Sequence, residues 1–179
     1  MKKRKIAETA ALIAVSVLLL FVVPRFVMER VIIDGPSMEN TLQNGDSILV
    51  EKISRYFNAL DRFDIIVFYP DEETKKENGR YYVKRIIGLP GETVQIKDNV
   101  ILINDIPLEE TFGATEMGHA GIAAEPVTLG EEEYFVLGDN RAISKDSRAA
   151  AVGVVPLSRI EGKMVIRIFP LKKFGTVNE

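Results

Sequence analysis

Residues 81–88 read Tyr81-Tyr82-Val83-Lys84-Arg85-Ile86-Ile87-Gly88, a stretch in which two charged residues stand among aromatic and β-branched ones. This composition predicts a β-strand. Successive side chains of a strand point to opposite faces, so Lys84 shares a face with Tyr82 and Ile86. Burial disfavours an ammonium group, and we therefore expect the pKa of Lys84 to lie well below its ordinary value of ~10.4.

Short strand patterns of the same kind recur along the rest of the chain. Turn signals separate them, and Lys97-Asp98-Asn99 is typical of a tight hairpin connection. No segment after residue 30 has the length and period of a long amphipathic helix. The sequence predicts a mainly β fold, an antiparallel sheet or barrel-like domain with an irregular excursion at residues 104–130, and further strands at residues 47–52, 64–69, 93–96, 100–103, 134–137 and 164–169.

Composition excludes several classes of site. The chain has 179 residues, 46% of them hydrophobic, which suffices for one folded domain with a core. Its net charge of -3 gives no electrostatic reason to expect a nucleic acid as partner. The absence of cysteine excludes disulfides and thiolate chemistry, and no HExxH-like or EF-hand-like spacing occurs around the single histidine, His119. We expect neither a cofactor nor a metal.

A serine in the turn-like stretch Asp34-Gly35-Pro36-Ser37-Met38 is the candidate nucleophile. The neutral amine of a buried lysine can take a proton from a hydroxyl, so Ser37 and Lys84 suit a nucleophile and its general base. Taken singly, Gly-Pro-Ser is typical of an ordinary turn, and a strand lysine commonly extends its ammonium to water. His119, the one competing base, lies in the irregular segment and is interpreted as a surface loop residue.

The N-terminus combines a basic cluster at residues 2–5 with an uncharged run from Thr9 to Pro24. As a helix this run spans about 24 Å, slightly under the ~30 Å hydrocarbon core of a bilayer. A cleaved signal peptide has an apolar region of similar length, but no small-x-small cleavage site follows Val23. We therefore expect an uncleaved transmembrane anchor over residues 6–28, a cytoplasmic N-terminus at residues 1–5 and an extracytoplasmic domain at residues 29–179.

A third motif, Gly138-Asp139-Asn140-Arg141-Ala142-Ile143-Ser144-Lys145-Asp146-Ser147-Arg148, is by itself typical of a turn followed by a solvated loop. Together with Ser37-Met38 and the stretch from Tyr82 to Glu92, it resembles the three signature boxes of bacterial type I signal peptidases. The segment at residues 62–68 also matches that family. All four follow the family's order behind an N-terminal anchor, so the resemblance covers essentially the whole chain and is strongest to the small Gram-positive-like subtype.

The resemblance implies a role for each matching residue. Ser37 is expected to attack the scissile carbonyl, and Lys84 to act as the general base that later protonates the leaving amine. Ser144 matches a hydroxyl that orients the lysine amine. Two charged pairs also match, Asp146 with Arg148 and Asp139 with Arg85. Four further residues are expected to form the walls of shallow substrate pockets: Ile33, Met38, Tyr82 and Val83.

The same resemblance implies a function. The chain is expected to be a membrane-anchored serine endopeptidase of the bacterial plasma membrane that removes signal peptides from secreted preproteins after small-x-small sites. Its partners are then signal-bearing preproteins and the lipid bilayer. The substrate is expected to lie extended beside the strand of Lys84, as an added β-strand.

Four departures from the family's pattern concern loop geometry. Gly35 stands where some members have a serine that donates to the oxyanion, and losing such a donor can cost ~3 kcal/mol. Gram-positive-like members commonly have glycine there. Asn40 stands where proline is usual, Ala142 replaces a commonly polar residue, and the segment at residues 149–152 is unusually small and slightly long.

Two other classes share some of these features. Self-cleaving repressors of the phage and DNA-damage type combine a serine-lysine dyad with a β fold, but they carry a helical DNA-binding domain where this chain has the predicted anchor. A non-catalytic, membrane-anchored β module predicts the loss of Ser37 or Lys84, and both are present.

An apolar segment follows the nucleophile region at residues 53–60. One interpretation places its Tyr56, Phe57 and Leu60 on the domain core. The other is that the aromatic side chains Tyr56 and Phe57 dip into the outer leaflet, where the cleavage site of an inserted signal peptide emerges, because amphipathic aromatic rings suit the interface.

Overall fold

The computed structural model describes residues 2–22, 26–57, 59–77, 79–113 and 116–177. Within them the chain forms two antiparallel sheets with few helices, which confirms the mainly β class. The strands are β1 Met28–Ile32, β2 Ser47–Glu51, β3 Ile65–Phe68, β4 Tyr82–Gly88, β5 Thr93–Lys97, β6 Val100–Ile103, β7 Ile106–Pro107, β8 Val127–Thr128, β9 Glu133–Leu137, β10 Val155–Pro156 and β11 Ile160–Phe169.

The larger sheet has seven strands in the order β1-β2-β11-β3-β4-β9-β10. Strand β4 pairs with β3 from Tyr82 to Arg85, whereas β9 pairs with it only from Arg85 onward. The first residues of β4 therefore keep one edge without a strand partner, and β1 is an outer edge of the same sheet. These two edges frame the cleft described below.

Strand β1 was not predicted from the sequence. Its residues Met28–Ile32 include two adjacent charges, Glu29 and Arg30, and its first residue had been assigned to the end of the anchor. The predicted strands in the rest of the chain are all present, with bounds shifted by a few residues at most.

The smaller sheet has the order β7-β6-β5-β8. The predicted hairpin joins β5 to β6: Lys97 pairs with Val100, and both connecting residues, Asp98 and Asn99, have a positive φ as a tight two-residue turn requires. Both ends of the segment at residues 104–130 join this sheet, through β7 and β8. The part between them is irregular apart from a 3-10 turn at Gly121–Ala124, and residues 114–115 lie outside the described part.

Three clusters of buried side chains hold the sheets together. The first joins β4 and β9 to the smaller sheet and includes Ile87, Val94 and Phe135. The second packs β1, β2 and β3 against the chain that follows β1, through residues such as Ile33 and Met38. Burying side chains of this kind contributes ~1.5 to 3 kcal/mol each, so the serine-bearing turn is fixed to the sheet by its own apolar residues.

Two helices complete the described chain, α1 at Lys2–Val17 and α2 at Glu72–Lys76, and residues Leu18–Val22 continue α1 as a π-helix. Among the described residues, none of the helices combines the length and the hydropathy that a bilayer crossing requires. Residues 23–25 of the predicted anchor lie outside the described part.

In the apolar segment at residues 53–60, one side chain fits the core interpretation and the two aromatic residues do not. Leu60 is buried in the core, whereas Tyr56 and Phe57 are 68% and 75% exposed. The segment forms a 3-10 turn at Ser54–Tyr56, and Asn58 lies outside the described residues.

Candidate active site

Ser37 lies in a turn that follows β1 and is held by backbone hydrogen bonds. Glu39 N donates to Pro36 O over 3.0 Å, and Leu42 N donates to Met38 O over 2.8 Å. The loop at residues 138–148 contacts the turn directly, because Asn140 N donates to Ser37 O over 3.1 Å. The serine is half-buried, and its hydroxyl faces the cleft between β1 and β4.

The turn needs two residues in the left-handed region of the backbone. Gly35 has a φ of 108° and Asn40 a φ of 86°. Glycine adopts such angles freely and asparagine more readily than most residues. No atom lies within 4 Å of a Cβ built on Gly35, so the backbone angle, not space, favours glycine there.

Lys84 reaches Ser37 from the neighbouring wall of the cleft. Its Nζ lies 2.7 Å from Ser37 Oγ and donates to Val83 O over 2.8 Å. The side chain is on the Tyr82 face of β4, with Nζ 5.5 Å from the centre of the Tyr82 ring.

Burial governs the charge of this amine. Lys84 is 3% exposed, and desolvation lowers its pKa to about 8, against the opposing charges of Asp146 and Asp139, which favour the ammonium form. The low pKa expected from the strand pattern is thus confirmed. At neutral to mildly alkaline pH a useful fraction of the amine is neutral, and a neutral amine at this distance can accept the serine proton.

Arg85 and Asp139 form a fully buried pair behind the amine. Arg85 donates from Nε and Nη2 to the two carboxylate oxygens of Asp139, over 2.9 and 2.6 Å, and from Nη1 to Phe63 O over 2.9 Å. The pairing matches the one implied by the resemblance. It ties the loop at residues 138–148 to the strand residue next to Lys84.

Asp146 and Arg148 form a second fully buried pair within that loop. Arg148 Nε donates to Asp146 Oδ1 over 2.8 Å, and Asp146 Oδ2 accepts from Gly138 N over 3.1 Å. The pair therefore closes the loop on itself, as the resemblance implies.

Ser144 is buried in the same loop, but its hydroxyl has no hydrogen-bond partner among the described residues. The expected bond to Lys84 is therefore not formed in this arrangement. A Cβ built on Gly138 would lie 2.2 Å from Ser144 Oγ and 2.4 Å from Ser37 O, which puts the Ser144 hydroxyl beside the nucleophile turn. The absence of a side chain at Gly138 is what lets these two segments approach.

The four predicted pocket residues lie together. Ile33, Met38, Tyr82 and Val83 all line one cleft of about 840 Å³, with Ser37 and Lys84 in its wall. Ile33 and Met38 are buried in the core, whereas Tyr82 and Val83 are half-buried.

Sequence reasoning gave no role to three residues that brace the site. Thr41 Oγ1 donates to Asp139 Oδ2, so the turn after the nucleophile joins the Arg85 pair. Glu110 binds Arg141, and the centre of the Phe112 ring lies 3.7 Å from the Arg85 guanidinium carbon. Arg141 could have been singled out from the third motif, but its charge partner Glu110 lies 31 positions earlier in the sequence and follows no local pattern.

The described residues contain no group of three or more side chains able to hold a metal ion.

Comparison with known proteins gives the class of this site. Residues 6–169 match the family described as signal peptidase, peptidase S26. A signal peptidase I of Leptolyngbya laminosa is 40% identical over 91% of this chain and 79% of its own length. A signal peptidase I of Bacillus licheniformis is 34% identical over 96% of this chain and 93% of its own length. A crystal structure of a signal peptidase I from Enterococcus faecalis is 36% identical, covers 59% of this chain and 97% of its own, and superposes with a TM-score of 0.48.

The chain belongs to the signal peptidase family, peptidase S26. It is therefore a serine endopeptidase, as the signature boxes predicted.

Proposed function

We propose that this endopeptidase removes signal peptides from preproteins, with Ser37 as nucleophile and Lys84 as general base. One observation carries the proposal: the Lys84 amine lies 2.7 Å from Ser37 Oγ and has a pKa of about 8. Family membership supplies the substrate class, since the relatives are named signal peptidase I.

The chemical steps use these two side chains. Neutral Lys84 accepts the hydroxyl proton as Ser37 Oγ attacks the scissile carbonyl, and the resulting ammonium then protonates the leaving amine. Water attacks the acyl-enzyme in a second round with the same base. Ser144, buried next to the turn and unpartnered among the described residues, is the proposed hydroxyl that orients Lys84 when the amine is neutral.

The oxyanion requires donors that are not already bonded. Ser37 N donates to no acceptor among the described residues, so it is free to stabilise the developing charge. Gly35, at its positive φ, supplies no side-chain donor. The backbone N–H of Ser37 is therefore the main proposed donor, as the Gram-positive-like pattern suggests.

The cleft suits an extended peptide with small side chains near the cut. The open edge of β4 at Tyr82–Lys84 and the outer edge of β1 both offer backbone groups to an added strand. Ile33 and Met38 line the cleft with apolar side chains, and we expect them to wall shallow pockets that accept the small residues of a small-x-small site.

We propose that residues 6–28 anchor the enzyme in the bacterial plasma membrane, with residues 1–5 in the cytoplasm and residues 29–179 outside. The support is an almost continuous run of exposed apolar side chains on α1 and its extension, among them Leu12, Ile13, Leu18, Leu19, Leu20 and Phe21. Alkaline carbonate extraction of membranes should leave the wild-type chain in the pellet. Release of the wild-type chain into the supernatant would show that the segment does not anchor it.

The dyad is tested by incubating the detergent-solubilised full chain with a signal-bearing preprotein and sequencing the new N-terminus. We expect Ser37→Ala and Lys84→Ala each to abolish processing, because neither group works alone. Lys84→Arg should fail as well, since a guanidinium stays protonated. Substantial activity in the Lys84→Arg variant would show that the general-base role is wrong, and an unprocessed preprotein with wild-type enzyme would contradict the function itself.

A further inference from the structure

Three arginines lie fully buried behind the cleft, and the same segment touches all of them. Arg85, Arg141 and Arg148 are among the largest side chains that have almost no exposed surface. The segment from Glu110 to Gly121, described except for residues 114–115, contacts each of their guanidinium groups.

The contacts differ in kind. The Phe112 ring packs on Arg85. The carbonyls of Met117 and His119 accept from Arg148 Nη1. The Glu110 carboxylate binds Arg141 with both oxygens, one of them 2.6 Å from Nη2, and it is the only one of these contacts that supplies a charge.

Arg141 has no second carboxylate among the described residues. Arg85 pairs with Asp139 and Arg148 with Asp146, both within the loop or on its adjoining strand. Arg141 instead donates from Nε to Gly138 O over 3.0 Å and depends on Glu110, 31 positions earlier in the chain, for its counter-charge. A buried guanidinium without a counter-charge is strongly unfavourable, so the loop cannot keep Arg141 in place without Glu110.

The loop residues next to Arg141 hold both reacting groups. Asn140 N binds Ser37 O, and Asn140 Nδ2 donates to Pro36 O over 3.2 Å. Asp139 holds Arg85, the neighbour of Lys84 on β4. A displacement of Arg141 would therefore move Asn140, which is bonded to Ser37 O, and Asp139, which is bonded to the side chain of Arg85 next to Lys84.

We propose that Glu110 is a positioning residue of the peptidase: by binding Arg141 it fixes residues 139–141 and thereby the distance between Ser37 and Lys84. The inference rests on the proposed function of that pair. It gives the segment at residues 104–130 a part in the reaction, without contact to the substrate.

Close packing supports a fixed arrangement. A Cβ built on Gly113 would lie 2.6 Å from the Arg141 guanidinium carbon, and one built on Gly121 would lie 2.1 Å from Arg148 O. Both glycines let the segment pack against the loop more closely than a residue with a Cβ could without displacing a neighbour.

The test compares Glu110→Gln with Glu109→Gln in the full detergent-solubilised chain. Glu109 is the adjacent, exposed carboxylate and serves as the matched control. With a short soluble peptide that carries the cleavage site, we expect Glu110→Gln to lower kcat about 10- to 100-fold, the effect of a reacting group misplaced by about an ångström. KM should stay within about twofold, because the cleft walls are unchanged. Glu109→Gln should keep the wild-type kcat.

A purely structural role would lower the melting temperature but leave kcat per folded molecule unchanged, and that result overturns the proposal. An increase in KM at constant kcat would also overturn it, because it would indicate substrate contact.

If Glu110→Gln does not fold, the double variant Glu110→Met with Arg141→Met decides. It removes both charges and leaves no unpaired buried cation, so it is expected to fold. A wild-type kcat in the double variant overturns the proposal, and a kcat lowered at least tenfold supports it. Wild-type enzyme that leaves the peptide intact contradicts the proposed function instead, whereas wild-type activity equalled by Glu110→Gln contradicts only the role of Glu110.

Discussion

The two sides of the cleft hold their reacting groups in contrasting ways. Lys84 is inside the sheet, and the charged residues around it, Arg85 and Asp139, are fully buried. Ser37 is half-buried on a turn, and the ion pair on that turn, Asp34 with Arg80, has side chains 73% and 89% exposed. The base is surrounded by side-chain ion pairs, whereas the serine is held mainly by backbone hydrogen bonds.

This difference follows from what each group must do. A lysine is a base only when the ammonium form is destabilised, and burial in a folded sheet does that. A serine needs no change in its charge, only the right position and an accessible hydroxyl. We call the wall of the cleft that carries Lys84 the lysine side and the turn that carries Ser37 the serine side. Substitutions on the lysine side should therefore matter most when they remove a charge partner, and those on the serine side when they change the backbone conformation.

The largest expected effect is the loss of a buried charge partner on the lysine side. Asp139→Ala leaves the Arg85 guanidinium buried without its carboxylate, which should lower the free energy of unfolding by about 3 to 5 kcal/mol. Asp34→Ala breaks the exposed pair with Arg80 and should cost about 0 to 1 kcal/mol. Urea unfolding of both variants measures the contrast. Equal losses in the two variants would show that burial does not distinguish the two sides.

Lowering the pH should reduce activity strongly, because it protonates the proposed base Lys84. The pKa of Lys84 is about 8, so kcat/KM for a soluble peptide should fall about tenfold per pH unit below that value and level off above it. A profile that stays flat from pH 6 to 9 would contradict a lysine base.

Stability should change with pH in the same direction as activity, but over a higher range of pH. The folded-state pKa lies below the unfolded value of 10.5, so protonation of the buried amine destabilises the fold by about 3 kcal/mol below pH 8. This penalty disappears as the pH rises toward 10.5. Lys84→Met, although inactive, should be more stable than wild type at pH 7, and that advantage should be lost at alkaline pH.

Substitutions that change the backbone conformation of the turn test the serine side. Asn40 has a φ of 86°, which proline cannot adopt, although proline is usual at this position in the family that the sequence resembles. Asn40→Pro should cost about 1 to 3 kcal/mol of stability and displace Ser37. Asn40→Gly is the matched control and should keep wild-type kcat and melting temperature, since glycine adopts positive φ freely. A fully active proline variant would mean that the turn has another conformation.

How much the sequence predicted depends on how local each interaction is. Strands such as β4 and the hairpin of β5 and β6 were predicted because alternation and turn residues are local signals. β1 was missed because Glu29 and Arg30 interrupt its pattern. Ser37 and Lys84 stood out as a serine in a turn and a lysine in an apolar strand.

The rest of the site depends on contacts between distant positions. Glu110 binds Arg141, and Thr41 binds Asp139 across 98 positions of sequence, and neither residue belongs to a periodic or capping pattern. The partners of a buried charge are set by how the loops pack, so composition and spacing cannot identify them. The segment at residues 104–130 looked unpatterned for this reason.

The smallest effect is expected at Tyr56 and Phe57, which follow β2 at the end of the sheet where β1 begins. Leu60 is buried, which makes it part of the core, but both rings are exposed, and Arg55 stacks on Tyr56 with its guanidinium carbon 4.7 Å from the ring centre. Exposed aromatic rings beside a cation suit the interface of a bilayer.

Replacing Tyr56 and Phe57 with serine in the full chain, reconstituted in liposomes, should slow processing of a membrane-inserted preprotein a few-fold and leave cleavage of a short soluble peptide unchanged. The exposed Leu171, at the other end of the chain, offers a matched control as Leu171→Ser. Equal loss on both substrates, with a lowered melting temperature, would instead show that the two rings support the core.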